Sequence, residues 1–169
     1  MKSKFQIAAL AGTAMLAASF GATTAQAATA TAKAKAKIVA AVAVKQVAGK
    51  DLDFGTIVPG TGSGTIALTA EATTQKTCTG MTCAGTVGSA QFTVSGAANT
   101  DTVVTLPSAP VELVNGTSKL QASLTGPTAL KLDANGAANL FVGGTLTVPA
   151  GTLEGLYESL PFNVNVEYK

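Results

Sequence analysis

No histidine, arginine or tryptophan occurs anywhere in the 169 residues. Without histidine the chain lacks the side chain that most often moves protons near neutral pH and most often ligates metals. Without arginine it lacks the planar guanidinium that grips phosphates and carboxylates at two points, so every cation is a lysine and nucleic acid is a poor partner. Charged residues are only 12% of the chain and aromatics 5%. The acids are scattered, and the closest pair, Asp51 and Asp53, shares one face of a single extended segment. Such a pair could hold a cation or assist hydrolysis, but it reads more simply as a solvated strand entrance. Serine and threonine are plentiful, yet no spacing sets a base beside any hydroxyl. The expectation is a protein that is not an enzyme, with no catalytic residue, no cofactor and no metal site.

What the chain does have is alanine, glycine, threonine and valine. Threonine and valine suit a pleated sheet, and glycine supplies the positive φ of tight turns. The length suits one domain that buries about two-thirds of its unfolded surface. The N-terminus has the three-part layout of a secretory signal: Lys2 and Lys4, an apolar run over residues 5–20, then Ala25-Gln26-Ala27. Cleavage is placed after Ala27, so residues 1–27 are the signal peptide. The apolar run is alanine-rich and short for a spanning helix, and nothing later is long or apolar enough to cross a bilayer. Losing Lys2 and Lys4 leaves nine lysines against nine Asp plus Glu. The mature chain is formally neutral, which supports neither a nucleic-acid nor an anionic-membrane role.

Export changes how the two cysteines read. Cys78 and Cys83 flank a glycine-containing loop, and nearby thiols pair in an oxidising compartment. A Cys78–Cys83 disulfide is expected, contributing about 2 kcal/mol in the chain-entropy model. Their spacing does not match a thioredoxin-like centre, and no histidine or further cysteine completes a zinc shell.

Residues 28–44 alternate. Ala30, Ala32, Ala34, Ala36, Ile38, Ala40, Val42 and Val44 take the even positions, and Lys33, Lys35 and Lys37 stand among the odd ones. Period two puts the lysines on one face of a strand and the apolar set on the other, whereas a helix would turn Lys33 and Lys35 to nearly opposite sides. A strand over the whole stretch would exceed the usual maximum of about 10 residues, so residues 28–37 are read as an N-terminal extension or donor strand and residues 38–169 as the domain.

After Asp51 short runs alternate with turn signals. Residues 52–58 end at Pro59-Gly60-Thr61-Gly62-Ser63-Gly64, read as a flexible hairpin turn into residues 65–69, since no helix follows to make it a phosphate loop. Strands are expected over 90–95, 102–106, 111–114, 119–124, 130–132, 138–142, 145–148 and 159–168. Asn115-Gly116 marks a hairpin, and Asp133-Ala134-Asn135-Gly136 and Val148-Pro149-Ala150-Gly151 mark further turns. In the last run Leu160, Phe162, Val164, Val166 and Tyr168 share one face. No amphipathic helix is evident. About eight or nine short strands at this spacing read as an all-β, immunoglobulin-like antiparallel β-sandwich.

The order of these motifs carries a resemblance. Ala-x-Ala-x-Ala after the signal, Leu52-Asp53-Phe54-Gly55-Thr56-Ile57-Val58-Pro59-Gly60, the run 90–96, Val104-Thr105-Leu106-Pro107, and Gly155-Leu156-Tyr157 leading to Val164-Asn165-Val166-Glu167-Tyr168 resemble a family of exported bacterial proteins that form a domain of unknown function. That family is similar to fimbrial subunits and to the spore-coat-U group, and the likeness runs from about Thr29 to the end. The last strand also resembles that of chaperone–usher pilus subunits, with Tyr168 as the penultimate aromatic and Val166, Val164 and Phe162 as the alternating apolar residues. The resemblance implies a C-terminal strand that pairs with a periplasmic chaperone and an N-terminal extension that completes a neighbouring subunit. Ala32, Ala34, Ala36, Ile38, Val42 and Val44 are then the strand-exchange candidates, with Ile38, Val42 and Val44 mattering most because alanine buries little. The expected partners are a second copy or a related subunit, with a chaperone and an usher; the expected location is the periplasm, the cell surface as a fimbrium, or outside the cell. The rival expectation is a self-complete, monomeric exported sandwich that binds a ligand.

Overall fold

Strands form in this chain where small β-branched and apolar residues alternate with polar ones, and glycine or proline ends them. The computed structural model describes residues 27–169, so the signal peptide expected over 1–27 lies, but for Ala27, outside the described residues. The described residues up to Ala36 are one unit, exposed and without regular structure. The second unit, Lys37–Lys169, carries all thirteen strands found among the described residues. They begin with β1 (Ala43–Gln46), β2 (Thr56–Pro59), β3 (Gly64–Leu68), β4 (Lys76–Thr79) and β5 (Met81–Ala84). Next come β6 (Ala90–Ser95), β7 (Asp101–Thr105), β8 (Val111–Asn115), β9 (Ser118–Thr125) and β10 (Ala129–Lys131). The last are β11 (Ala137–Val148), β12 (Glu158–Ser159) and β13 (Asn165–Tyr168). Every pairing is antiparallel and the described residues contain no helix, so the fold is all-β and sandwich-like, as its composition leads one to expect.

β11 organises the unit. Its first half pairs with β6, and its second half lies between β9 and β3. The change of partner falls at Gly143-Gly144, where a Cβ on Gly143 would run into the Leu68 carbonyl oxygen and stand 2.8 Å from the Thr69 carbonyl carbon. Only glycine lets backbone approach backbone so closely. Residues 138–142 and 145–148, expected as two strands, are therefore one.

Two apolar cores lie along β11. The first sits between β1-β6-β11 and the sheet β10-β7-β13, and buries Val94, Val104, Leu132, Leu140, Val142 and Val166. The second sits under the sheet containing β3, β9 and β11, and buries Phe54, Ile66, Leu68, Leu120, Leu146 and Val148. Leu52 packs against both. Each fully buried Leu, Ile or Val contributes about 1.5–3 kcal/mol of transfer free energy. Polar groups inside are paired: Thr102 is fully buried and its hydroxyl donates to the Leu130 carbonyl at 2.8 Å. Among the described residues no buried side-chain polar atom lacks a partner.

Three expectations about local structure are corrected. The alternating stretch 28–44 is a strand only from Ala43; residues 28–41 are exposed and form no ladder. Alternation selects which face would be buried, but a strand needs a neighbour to bond, and alanine side chains supply little burial to recruit one. The final run 159–168 is not continuous. Pro161 has no N–H to offer a ladder, so β12 pairs with β8 while β13 pairs with β7 in another sheet, and Leu160 is 83% exposed instead of facing inward. The glycine-rich stretch is not a hairpin turn. β2 pairs with β5 and β3 with β4, so Gly60-Thr61-Gly62-Ser63 form an excursion in one arm of a long bent hairpin. The other arm turns at Gly80 alone, in the left-handed region (φ 73°) that glycine adopts without strain.

The Cys78–Cys83 disulfide is formed (S–S 2.00 Å). It does more than pin a loop: Cys78 is on β4 and Cys83 on β5, so it ties the eight-stranded sheet to the two-stranded one across the Gly80 corner.

Candidate functional site

Residues 43–59 run in a line along the partner segment 81–95, interrupted once by a turn at Ala48-Gly49 in which Lys50 N–H donates to Val47 O. β1 pairs with β6, Val47 N–H donates to Gln91 O, Gln91 N–H donates to Lys50 O, Asp53 bridges Gly88, and β2 pairs with β5. All these bonds to the partner segment leave from the same side of the line. Among the described residues no strand pairs with its other edge. Leu52, Phe54 and Ile57 turn toward the cores, while Asp51 and Asp53 are exposed.

Two adjoining cavities of about 470 and 560 Å³ run beside this line. Leu52, Asp53, Phe54, Leu113, Leu156 and Tyr157 line both. The floor is apolar, with Ala122 and Leu124 of β9 under one cavity and Leu146 and Val148 of β11 under the other. The far wall is the connection from β11 to β13. Its residues 153–157 stay near β8 because Tyr157 Oη donates to Leu153 O (2.9 Å) and stands 2.7 Å from Ser118 Oγ, while Asn115 Nδ2 donates to Glu154 O (3.2 Å). Leu153 and Leu156 are nonetheless 64% and 75% exposed at the rim. Together these residues form a groove with an apolar floor, a strand edge along one side and exposed leucines along the other. Exposed apolar patches beside a cleft mark binding surfaces.

Charge at the rim has one sign. Asp51, Asp53 and Glu158 line the first cavity and Asp53 and Glu154 the second, and no lysine lines either among the described residues. Asp51 accepts from Gln46 Nε2 (2.5 Å) and Asp53 from Gly55 N–H (2.8 Å). Lys119–Glu112 is the one ion pair among the described residues, and it lies elsewhere. No group of three or more His, Cys, Asp or Glu among them could hold a metal ion.

The residues singled out in the sequence fall into three places. Ala32, Ala34, Ala36 and Ile38 are exposed and outside any strand. Val42 and Val44 are half-buried against the first core, so within this chain they belong to the domain itself. Phe162, Val164, Val166 and Tyr168 all pack on that core, with Phe162 edge-to-face on Phe92 and also lining the first cavity. Tyr168 Oη accepts from Ala97 N–H and donates to Ala40 O, both at 2.6 Å, which closes the C-terminal strand onto the stretch before β1. β13 pairs with β7 on one edge and, among the described residues, with no strand on the other. Sequence reasoning missed the groove itself. Its walls come from segments about a hundred residues apart, and the only local signal was Asp51-Leu52-Asp53-Phe54, a polar–apolar alternation bordered by a glycine.

The profile of a family described as a domain of unknown function (DUF4402) matches residues 42–168. The match starts at Val42, so the Ala-x-Ala-x-Ala stretch that the sequence resemblance included lies ahead of it. Comparison with curated proteins and with solved structures returned no match.

Proposed function

The chain belongs to the DUF4402 family, whose function is unknown, and we propose that it is an exported structural subunit of fimbrial type, which assembles by accepting a β-strand along the free edge of residues 43–59. The observation that carries this reading is the coincidence of that edge with the apolar groove beside it. Natural sheets protect their edges unless pairing is the purpose. Strand addition draws affinity from main-chain hydrogen bonds and specificity from alternate side chains entering pockets. Each such bond is worth about 1 kcal/mol net, so several must combine with apolar burial, and covering a leucine such as Leu156 adds about 1.5–3 kcal/mol. The donor is the alternating N-terminal segment of a second copy or of a related subunit. The free edge of β13 is the place for a periplasmic chaperone, with an usher completing the export route. On this reading the chain works in the periplasm, on the cell surface or outside the cell, and catalyses nothing.

A second reading rests on the cavity volumes, which fall in the range of small-ligand sites: a self-complete exported sandwich that binds a ligand as a monomer. Size-exclusion chromatography of residues 28–169 beside residues 38–169 separates the two. Assembly predicts concentration-dependent oligomers in the first that are lost in the second. Two monomers of equal stability would refute the donor role of residues 28–37 and leave the ligand-binding reading.

A further inference from the structure

We infer that the groove selects its incoming strand by charge: the lysine face of residues 33–37 from a second copy is read by the rim carboxylates Asp51, Asp53, Glu154 and Glu158. The inference rests on the strand-addition reading and adds to it the identity of the partner and the register in which it enters.

The spacing makes the match possible. Lys33, Lys35 and Lys37 recur every second residue, and so do Asp51 and Asp53 on the wall of the groove. In extended chain both sets therefore repeat at about 6.7 Å, and residues opposite one another on paired strands have Cβ atoms about 5 Å apart. With Leu52 and Phe54 facing the cores, Asp51 and Asp53 face solvent on the outer side of the edge. A strand that pairs there with its alanines and Ile38 toward the floor must present its lysines on that same outer side. A slip of one residue would turn the lysines into the apolar groove and the alanines to water. The opposite wall repeats the sign, with exposed Glu154 and Glu158. These four carboxylates make no ion pair among the described residues, so an incoming cation has no lysine to displace there, although Asp51 and Asp53 already accept from Gln46 Nε2 and Gly55 N–H.

Each exposed cross-strand pair changes an equilibrium constant by about 1.4-fold to fivefold, so the two pairs with Asp51 and Asp53, added to the attraction of Glu154 and Glu158 across the groove, give about tenfold at low salt. Salt at about 0.5 M shortens the Debye length to about 4 Å and removes most of that.

The test measures binding of a fluorescent peptide of residues 28–44 to the chain from residue 28 in which Lys33, Lys35 and Lys37 are each replaced by Glu. A second peptide carries the same three replacements, so the selectivity is read without altering the groove. The expected result is about tenfold tighter binding of the lysine peptide at 50 mM salt, a gap that closes at 500 mM, and a reversed preference when the chain also carries Asp51→Lys, Glu154→Lys and Glu158→Lys. Asp53 is left in place because it caps Gly55 N–H. Equal binding of both peptides at 50 mM would overturn the charge inference and leave strand addition standing. Failure of both peptides to bind at either salt would overturn strand addition, and this inference with it.

Discussion

Tyr168→Phe removes one oxygen and nothing else, which makes it the sharpest probe of how the C-terminal strand is held. The hydroxyl accepts from Ala97 N–H and donates to Ala40 O, both at 2.6 Å. The two lost bonds are not equivalent. Ala40 is exposed, so water replaces the tyrosine at its carbonyl, whereas Ala97 is half-buried and its N–H is left with poorer access to solvent. With about 1 kcal/mol for the amide and less for the carbonyl, the expected loss is about 1–2 kcal/mol. For a domain of this size that lowers Tm by about 3–10 °C. Tyr168→Ala also removes the ring from the first core and should cost about 3–5 kcal/mol. Urea unfolding gives the two free energies, and amide hydrogen exchange at Ala97 reports the site directly. If Tyr168→Phe leaves both the midpoint and the protection of Ala97 unchanged, the hydroxyl does not clamp the strand and the reasoning fails.

Three further outcomes are expected. Replacing both Cys78 and Cys83 by Ser should lower stability by about 2 kcal/mol, the chain-entropy value for so short a closed loop, measured by thermal unfolding against the oxidised parent; an unchanged Tm would show that the Gly80 corner holds without the cross-link. Gly143→Ala should destabilise by more than the small gain alanine ordinarily brings to the unfolded chain, because the new methyl meets the backbone of Leu68 and Thr69, which has no rotamer to yield; a variant as stable as the parent would mean that β11 can change partners without that close approach. Asp133 has its carboxyl held below the usual carboxylate range, first by the Ala137 N–H and then by the Asn135 N–H, at 2.9 and 2.8 Å. A lowered folded-state pKa means that its contribution is present above about pH 4 and is lost as pH falls through the lower folded value. Asp133→Asn should therefore lower stability near pH 7 and converge with the parent at low pH, which flattens the acid limb of the stability curve, and an acid limb identical to the parent's would refute the role of that turn.

The elements legible from sequence were those whose signal is local. The runs 90–95, 111–114 and 119–124 lie within β6, β8 and β9, and the Asn115-Gly116 turn joins β8 to β9 in register, with Asn115 opposite Ser118. The disulfide was also legible, because two cysteines so close in sequence have no other partner. What escaped were continuities and breaks decided by neighbours. Gly143-Gly144 fell between two expected strands, but buried between Leu68 and Ser123 it lets one strand run on. Leu160 looked like the first inward residue of the last strand until Pro161 divided it between two sheets.

Alternation, turn residues and the paired cysteines thus determined by themselves that this chain is all-β, antiparallel and cross-linked, because each of those features depends on residues within one turn or one strand. Only the tertiary structure decided that residues 43–59 keep one edge free of any strand among the described residues, and that residues 153–157, supplied from the far end of the chain, wall a groove beside it. No periodicity encodes such a feature. An edge is free or paired according to which distant segments reach it, and that depends on how the two cores share β11.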